Sequence, residues 1–265
     1  MNKKDNVFVR LIKCIYDIKS YPKYIVDGVG KALLYAVIFT FIIGGVKGAV
    51  TTYEVNKSIN QTVQTLKEDK YEFEIKNGTL ELKSSPVKFD DNNALLYFDK
   101  EKTLQDVDDL KSLTVNADVY VLMLKDGVYL NSNSQSIPDG QSIKYSELLI
   151  DGNEKIDNEY IINLLNSLKS IIFFMIIIIS IISTFIWYVV MSALIAVFSL
   201  LISRLLRLNL RFSHIFSLSM YTGTLPNVLI TILFLFVPTV PLDTAAIIGT
   251  LLLNYVVLKN IRSTV

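Results

Sequence analysis

The sequence is poor in the residues that most often build catalytic and metal sites. Its 265 residues include one cysteine, Cys14, and one histidine, His214. A single cysteine excludes a disulfide within the chain, and a lone histidine without a neighbouring cysteine or carboxylate excludes most zinc sites. Phosphate-loop and zinc-protease motifs are absent as well. The sequence therefore predicts a protein that is not an enzyme and that holds no metal or other cofactor.

Long stretches of the chain lack charge, and the charges that are present are segregated. The mean hydropathy is +0.42 although 19% of the residues are charged. Residues 51–166 contain 12 basic and 21 acidic residues, whereas the remainder contains 14 basic and 4 acidic ones. This division is typical of apolar segments in lipid joined to a charged segment in water. No segment combines basic and aromatic residues in the way that indicates nucleic-acid binding.

The first 50 residues predict a surface helix followed by a membrane span. Residues 7–20 place apolar side chains at spacings of three and four, so residues 1–29 are predicted as a cytoplasmic amphipathic helix that ends at Tyr21-Pro22. Residues 30–50 are predicted as the first transmembrane helix. Seven basic residues against three acidic ones up to position 31 favour a cytoplasmic N-terminus.

The apolar run at residues 171–206 contains no glycine or proline and leaves two alternatives open. One helix of that length measures about 54 Å, against a hydrocarbon core of roughly 30 Å. Two spans need about 40 residues and a turn between them. A single crossing leaves Arg204, Arg207 and Arg211 inside, whereas a double crossing leaves them outside. The positive-inside tendency favours one long, tilted transmembrane helix at residues 167–206.

Two further spans complete the predicted topology. Residues 213–236 return to the outside, residues 238–243 form a short external turn, and residues 244–260 cross back. The predicted fold class is an α-helical bundle of about four transmembrane helices with an inserted small α/β extracytoplasmic domain. The predicted location is the cell membrane, multi-pass, with the N- and C-termini in the cytoplasm.

Residues 51–166 carry the signals of the extracytoplasmic α/β domain. Alternating apolar and polar residues flank Asn77-Gly78, which favours a tight hairpin. A second hairpin is predicted about Asp126-Gly127 and begins at Asp118. A buried strand at residues 94–98, a helix at 104–113 and a last strand at 142–145 complete the predicted domain.

Polar residues cluster at the middle of the predicted third span, where each costs free energy unless it is paired. By depth, Tyr221 is predicted to bond to an asparagine of the last span. A role in helix packing is favoured over a substrate pathway, because small polar residues let helices approach closely. No charged residue lies within the core of a predicted span, which disfavours an ion- or proton-coupled transporter. The candidate site residues are Ser219, Tyr221, Thr222, Thr224, Pro226, Asn227 and Asn254.

Several short motifs resemble those of a known family. Tyr21-Pro22-Lys23-Tyr24 precedes the first span, residues 96–99 are LYFD, and residues 205–212 are LLRLNLRF. With Tyr221 and Pro226, these motifs make essentially the whole chain resemble domain-of-unknown-function family 1189. That family comprises membrane proteins of Gram-positive bacteria, some of them labelled maltodextrin-utilisation proteins of the YvdJ or MalA type. The membrane half is also similar to the Yip-type superfamily. The resemblance implies the architecture and no activity.

Two functions follow from the sequence as alternatives. The first is a non-enzymatic sensor, scaffold or accessory protein whose outer domain binds an extracytoplasmic ligand or another membrane protein. The second is a transporter or transporter accessory subunit that uses the polar stretch of the third span. The lipid bilayer is a partner in both.

Overall fold

The structure is a computed structural model that describes residues 6–91, 94–115, 117, 119–132, 140–148, 155–237 and 242–264. It divides into two compact units. Unit 1 consists of Met1–Val55 and Ile171–Val265, and unit 2 consists of Asn56–Ser170. The predicted turn at 238–241 and the predicted hairpin start at Asp118 lie outside the described residues.

Helices supply nearly all of unit 1, and two of them continue into unit 2. The helices are α1 (Val7–Tyr16), α2 (Tyr21–Tyr24), α3 (Val29–Thr65), α4 (Val107–Leu110), α5 (Tyr145–Leu148), α6 (Asn158–Leu205), α7 (Phe212–Thr222), α8 (Thr224–Phe236) and α9 (Asp243–Thr264). Among the described residues, four helical segments are long and apolar enough to cross a membrane: Val29–Thr65, Asn158–Leu205, Phe212–Phe236 and Asp243–Ser263. The apolar run at 171–206 lies within the single helix α6, apart from its last residue.

The helices of the first two predicted spans extend beyond them, to Thr65 in α3 and from Asn158 in α6, and two other elements also differ from the prediction. The first helix ends at Tyr16 rather than at the Tyr21-Pro22 step, and Pro22 stands in the first turn of α2. Proline suits that place because its missing N–H would have no partner there. The predicted third span is divided at Gly223 into α7 and α8. Pro226 explains the division, since it withdraws one hydrogen bond from the helix.

Helices α3 and α6 approach closely within unit 1 because of two glycines. A Cβ atom at Gly44 would lie 2.7 Å from the Cα of Ile181, and one at Gly48 would lie 3.0 Å from the Cα of Ile177. Ser180 donates a hydrogen bond of 2.9 Å to the Gly44 carbonyl across the same contact. Small residues at such a crossing bring two helix backbones together in lipid-exposed bundles.

Unit 2 is a small α/β domain with two sheets. Its strands are β1 (Phe73–Lys76), β2 (Thr79–Leu82), β3 (Val87–Asp91), β4 (Ala94–Asp99), β5 (Val119–Leu124), β6 (Gly127–Ser132), β7 (Gln141–Lys144) and β8 (Ile156–Asp157). The smaller sheet has the order β2-β1-β8, and the larger has the order β3-β4-β5-β6-β7. Strands β4 and β5 are parallel, and the other pairs are antiparallel.

Local turn chemistry explains the confirmed hairpins of unit 2. Asn77 and Gly78 both have positive φ, +52° and +73°, as the tight turn between β1 and β2 requires. The second turn, between β5 and β6, consists of Lys125 and Asp126, and Gly127 is already the first residue of β6. The predicted last strand ends one residue early, because Tyr145 begins α5.

The segment between β4 and β5 packs on one face of the larger sheet. It is α4 flanked by two turns of 3₁₀ helix, Leu104–Asp106 and Lys111–Leu113. Thr103 and Asp106 form a reciprocal N-terminal cap, and those hydrogen bonds lower the pKa of the Asp106 carboxyl. The resulting apolar core contains Leu95, Tyr97, Val107, Leu110, Ala117, Tyr120, Leu122 and Leu124.

Candidate functional site

The candidate site residues lie on a stretch of unit 1 that is almost fully enclosed. Every side chain from position 215 to 224 is buried, and so is that of Pro226. Asn254 of α9 is also fully buried. Seven of these enclosed residues are polar or carry a hydroxyl: Ser217, Ser219, Tyr221, Thr222, Thr224 and, on other helices, Ser199 and Asn254.

Asn254 is the centre of one hydrogen-bond network. Its Oδ1 accepts from the Thr222 hydroxyl at 2.6 Å, and its Nδ2 donates to the hydroxyls of Ser199 and Ser219, each at 2.9 Å. These bonds join α6, α7 and α9. A buried amide whose donor and acceptor atoms are both paired carries no desolvation penalty and holds helices together in lipid.

Tyr221 belongs to a second group, and its predicted bond to Asn254 is wrong. Its ring centroid lies 4.8 Å from that of Tyr24 and 4.6 Å from that of Tyr35. Its hydroxyl lies 3.4 Å from the Arg10 guanidinium and donates to the Asp27 carboxylate at 3.4 Å. Tyr221 therefore faces the N-terminal segment and not the last helix.

Arg10 and Asp27 form an ion pair at the edge of this aromatic group. Their side chains are only 14% and 10% exposed, and the guanidinium carbon lies 5.4 Å from the Tyr24 ring centroid. Burial lowers the pKa of Arg10, but the bond to Tyr221 and the charge of Asp27 outweigh it, so the pKa is raised overall. Lys31 is a second, exposed partner of Asp27, at 3.4 Å.

Two further tyrosines fix the division between α7 and α8. The hydroxyls of Tyr35 and Thr224 share a hydrogen bond of 2.5 Å. The Tyr188 hydroxyl donates to the Met220 carbonyl, and the Asn227 amide donates to the Gly223 carbonyl at 2.8 Å. Side chains from α3 and α6 thus supply hydrogen bonds where a proline interrupts the helix.

Cys14 lies in the core of unit 1. It is 1% exposed, and its carbonyl accepts a hydrogen bond of 2.5 Å from the Tyr21 hydroxyl. Burial raises the pKa of the Cys14 thiol to about 12. The Tyr21-Pro22-Lys23-Tyr24 motif therefore supports both α1 and the aromatic group.

The model of one protein family, described as "Protein of unknown function (DUF1189)", matches residues 8–259. The chain belongs to the DUF1189 family. No curated protein matches it, and no solved structure does. The match covers both units, so the Arg10–Asp27 pair, the tyrosines and the Asn254 network all lie within the family's extent.

In this DUF1189 protein, the structure distributes the seven candidate residues over four places. Ser219 and Thr222 join Asn254, whereas Tyr221 and Thr224 join the aromatic group. Pro226 packs against α9, where a Cβ atom at Gly249 would lie 3.2 Å from the proline ring. Asn227 lines a crevice between α3, α6 and α8.

The sequence analysis missed the residues that complete these sets: Arg10, Tyr24, Asp27, Tyr35, Tyr188 and Ser199. One signal was present in the Tyr21-Pro22-Lys23-Tyr24 motif, which supplies Tyr24. Arg10 and Asp27 carry no such signal, because isolated charges near a chain's N-terminus most often face water. In the part of the chain that the structure describes, no three His, Cys, Asp or Glu side chains are grouped to hold a metal ion.

Proposed function

We propose that this DUF1189 protein is a non-enzymatic, multi-pass membrane protein that senses or scaffolds, with unit 2 outside the cell and both termini in the cytoplasm. Four long apolar helices support the membrane location. The distribution of charge supports the orientation. Arg207 and Arg211 lie between α6 and α7, and Lys259 and Arg262 lie in the last turns of α9.

Cysteine accessibility tests the orientation. The background is Cys14→Ser, and the single cysteines replace exposed residues of each predicted side: Ser112 in unit 2, Asn209 between α6 and α7, and Ser263 in α9. We expect a membrane-impermeant maleimide to label intact cells at position 112 only. All three positions label after permeabilisation. Labelling of intact cells at position 209 would contradict the proposed topology.

The hydrogen bonds of the Asn158 side chain are the main support for the proposed sensing role. Its Nδ2 donates to the carbonyls of Leu66, at 2.6 Å, and Tyr71, at 2.9 Å. Its Oδ1 accepts from the Phe73 N–H at 2.9 Å. Asn158 is the first residue of α6, and Leu66 directly follows α3. One side chain therefore ties together the ends of the two helices that continue from unit 2 into unit 1.

A second contact in unit 2 joins the same helices. Lys169 of α6 donates to the Asn60 side chain of α3 at 2.8 Å. Leu66 and Tyr71 also line an apolar groove of about 210 Å³ beside strands β3, β4 and β5. A ligand in that groove would therefore contact Leu66 and Tyr71, whose carbonyls are hydrogen-bonded to Asn158. We infer that binding of an outer ligand or of another membrane protein to unit 2 alters α3 and α6.

The single tryptophan provides a test of this coupling, since Trp187 lies on the part of α6 that belongs to unit 1. Asn158→Ala removes three hydrogen bonds in unit 2, and we expect it to shift the emission of Trp187 in the detergent-solubilised chain. Asn158→Asp keeps the acceptor for Phe73 but sets a carboxylate oxygen against the carbonyls of Leu66 and Tyr71, so it is expected to give a shift at least as large. Asn163→Ala is the matched control, because Asn163 is exposed on the same helix.

Circular dichroism distinguishes coupling from simple unfolding. A Trp187 spectrum that is unchanged in a folded Asn158→Ala variant would exclude the coupling and leave a scaffold role only.

The transporter alternative receives less support. Six of its seven candidate residues hydrogen-bond to one another or pack against neighbouring helices, as residues that join helices do.

A further inference from the structure

Unit 1 contains a crevice that the polar networks do not fill. It has a volume of about 480 Å³ and lies between α3, α6 and α8, with Asp243 of α9 at its edge. Ligand-binding clefts in proteins have volumes of about 300–1,000 Å³. Polar side chains of α6 and α8, those of Ser180, Ser183, Thr184 and Asn227, form part of its lining.

The crevice changes in polarity along α3. Phe39 and Ile43 are apolar and buried, whereas Lys47 and Thr51, one and two turns further on, are polar. Residues four apart lie on the same helix face, so these side chains form one continuous wall. Trp187 and Phe234 provide apolar surface on the facing helices. Such a cleft matches a molecule with a polar head and an apolar tail.

Two opposite charges stand at the polar end, and the structure gives neither of them an ion pair. Lys47 is half-buried, and its Nζ lies 5.9 Å from the centroid of the Phe234 ring. Among the described residues, no carboxylate lies within ion-pair distance of Lys47, and no basic group lies within that distance of Asp243. A half-buried ammonium group without a carboxylate at ion-pair distance is costly unless another anion accompanies it.

We propose that this crevice binds a zwitterionic phospholipid whose phosphate contacts Lys47 and whose ammonium group contacts Asp243. The acyl chain lies along the apolar wall toward Phe39. The two charges explain the head group, because an anionic lipid without an ammonium group would place a negative charge beside Asp243. This inference rests on the proposed membrane location but not on the sensing role, since the crevice lies wholly in unit 1.

Quenching of Trp187 tests the proposal, because this single tryptophan lines the crevice. Phosphatidylethanolamine with brominated acyl chains is titrated into the full chain in detergent, and brominated phosphatidylglycerol with the same chains is the comparison. We expect the wild-type protein to be quenched at a lower mole fraction of phosphatidylethanolamine. Unbrominated phosphatidylethanolamine should protect Trp187, and inorganic phosphate should not.

Variants of the two charged residues locate the contact. Lys47→Gln is expected to raise the half-quenching mole fraction roughly tenfold, since it removes a charge-assisted hydrogen bond. Lys47→Arg should retain binding, and Asp243→Asn should remove the preference for phosphatidylethanolamine. Lys57→Gln is the control, because Lys57 is an exposed lysine on the same helix and does not line the crevice.

Two results would overturn the proposal. One is an identical titration curve for Lys47→Gln and the wild type. The other is protection of Trp187 by inorganic phosphate as effective as that by the lipid, which would make the crevice a simple anion site. The labelling pattern of the topology experiment does not depend on either result, so failure of the lipid site and failure of the proposed topology are distinguishable.

Discussion

Units 1 and 2 differ in the polar residues that they bury and in the apolar residues that they expose. Unit 1 has an apolar core that includes Leu218, but it also buries Ser199 and Asn254 fully and leaves Ile178 and Leu201 each more than half exposed. In unit 2 Leu122 and Leu124 are fully buried, and lysines such as Lys111 are exposed. Where lipid removes the hydrophobic drive between helices, polar bonds and close contacts hold them together. In water, burial of apolar surface does this.

The largest expected difference between the two units concerns the Arg10–Asp27 ion pair of unit 1. Asp27→Leu removes the carboxylate beside the mostly buried Arg10, and loss of one partner of such a pair costs about 3–5 kcal/mol. The free energy of unfolding in detergent measures the loss. Asp90→Leu in unit 2 is the matched change. It removes an exposed pair with Lys88 and should cost about 0–1 kcal/mol. Equal losses would contradict the contrast.

A second comparison sets a buried leucine of unit 2 against an exposed leucine of unit 1. Leu122→Ala leaves a cavity in a fully buried site and should cost about 2–5 kcal/mol. Leu201→Ala, at an exposed position of α6, should change the free energy of unfolding by less than about 0.5 kcal/mol. A larger loss at position 201 than at 122 would mean that unit 1 buries that leucine in an assembly.

The Asn254 network tests the same idea with a polar residue. Asn254→Leu removes three hydrogen bonds between helices and leaves the hydroxyls of Ser199, Ser219 and Thr222 without that partner. We expect a loss of about 1–2 kcal/mol, because such bonds contribute modestly in membrane bundles. Asn163→Leu, an exposed change on α6, should cost almost nothing. Unfolding in detergent compares the two, and a stabilised Asn254→Leu variant would exclude polar bonds as the cohesive element of unit 1.

The smallest expected effect concerns Cys14. Its pKa is raised by burial from 9.0 to about 12, so the thiol should react slowly with iodoacetamide near pH 9 in the folded chain. Its contribution to stability should be complete below about pH 9 and lost as the pH rises toward about 12, since the unfolded thiol ionises first. A cysteine at the exposed position 112 in the Cys14→Ser background is the comparison, and equal alkylation rates would show that α1 opens readily.

The sequence predicted best those features that depend on neighbouring residues. Asn77-Gly78 specifies its turn by backbone conformation alone, and α6 follows from a run without glycine or proline. The partner of Tyr221 could not be found in this way. Its contacts with Arg10 and Asp27 join positions 211 and 194 residues apart, and depth along a helix does not show which neighbour a side chain faces. The Asn254 network was half predicted, because depth placed the right helices together but selected the wrong residue.

The pairing of β1 with β8 constrains the order in which unit 2 folds during synthesis. Glu74 and Ile75 must wait for their partners Asp157 and Ile156, which are made about 80 residues later. Asn158 follows at once and is both the clamp on Leu66 and Tyr71 and the first residue of α6. The smaller sheet therefore cannot close until the ribosome begins the next apolar helix, and contacts so distant in sequence form slowly. The last pairing of unit 2 therefore forms only as synthesis of α6 begins.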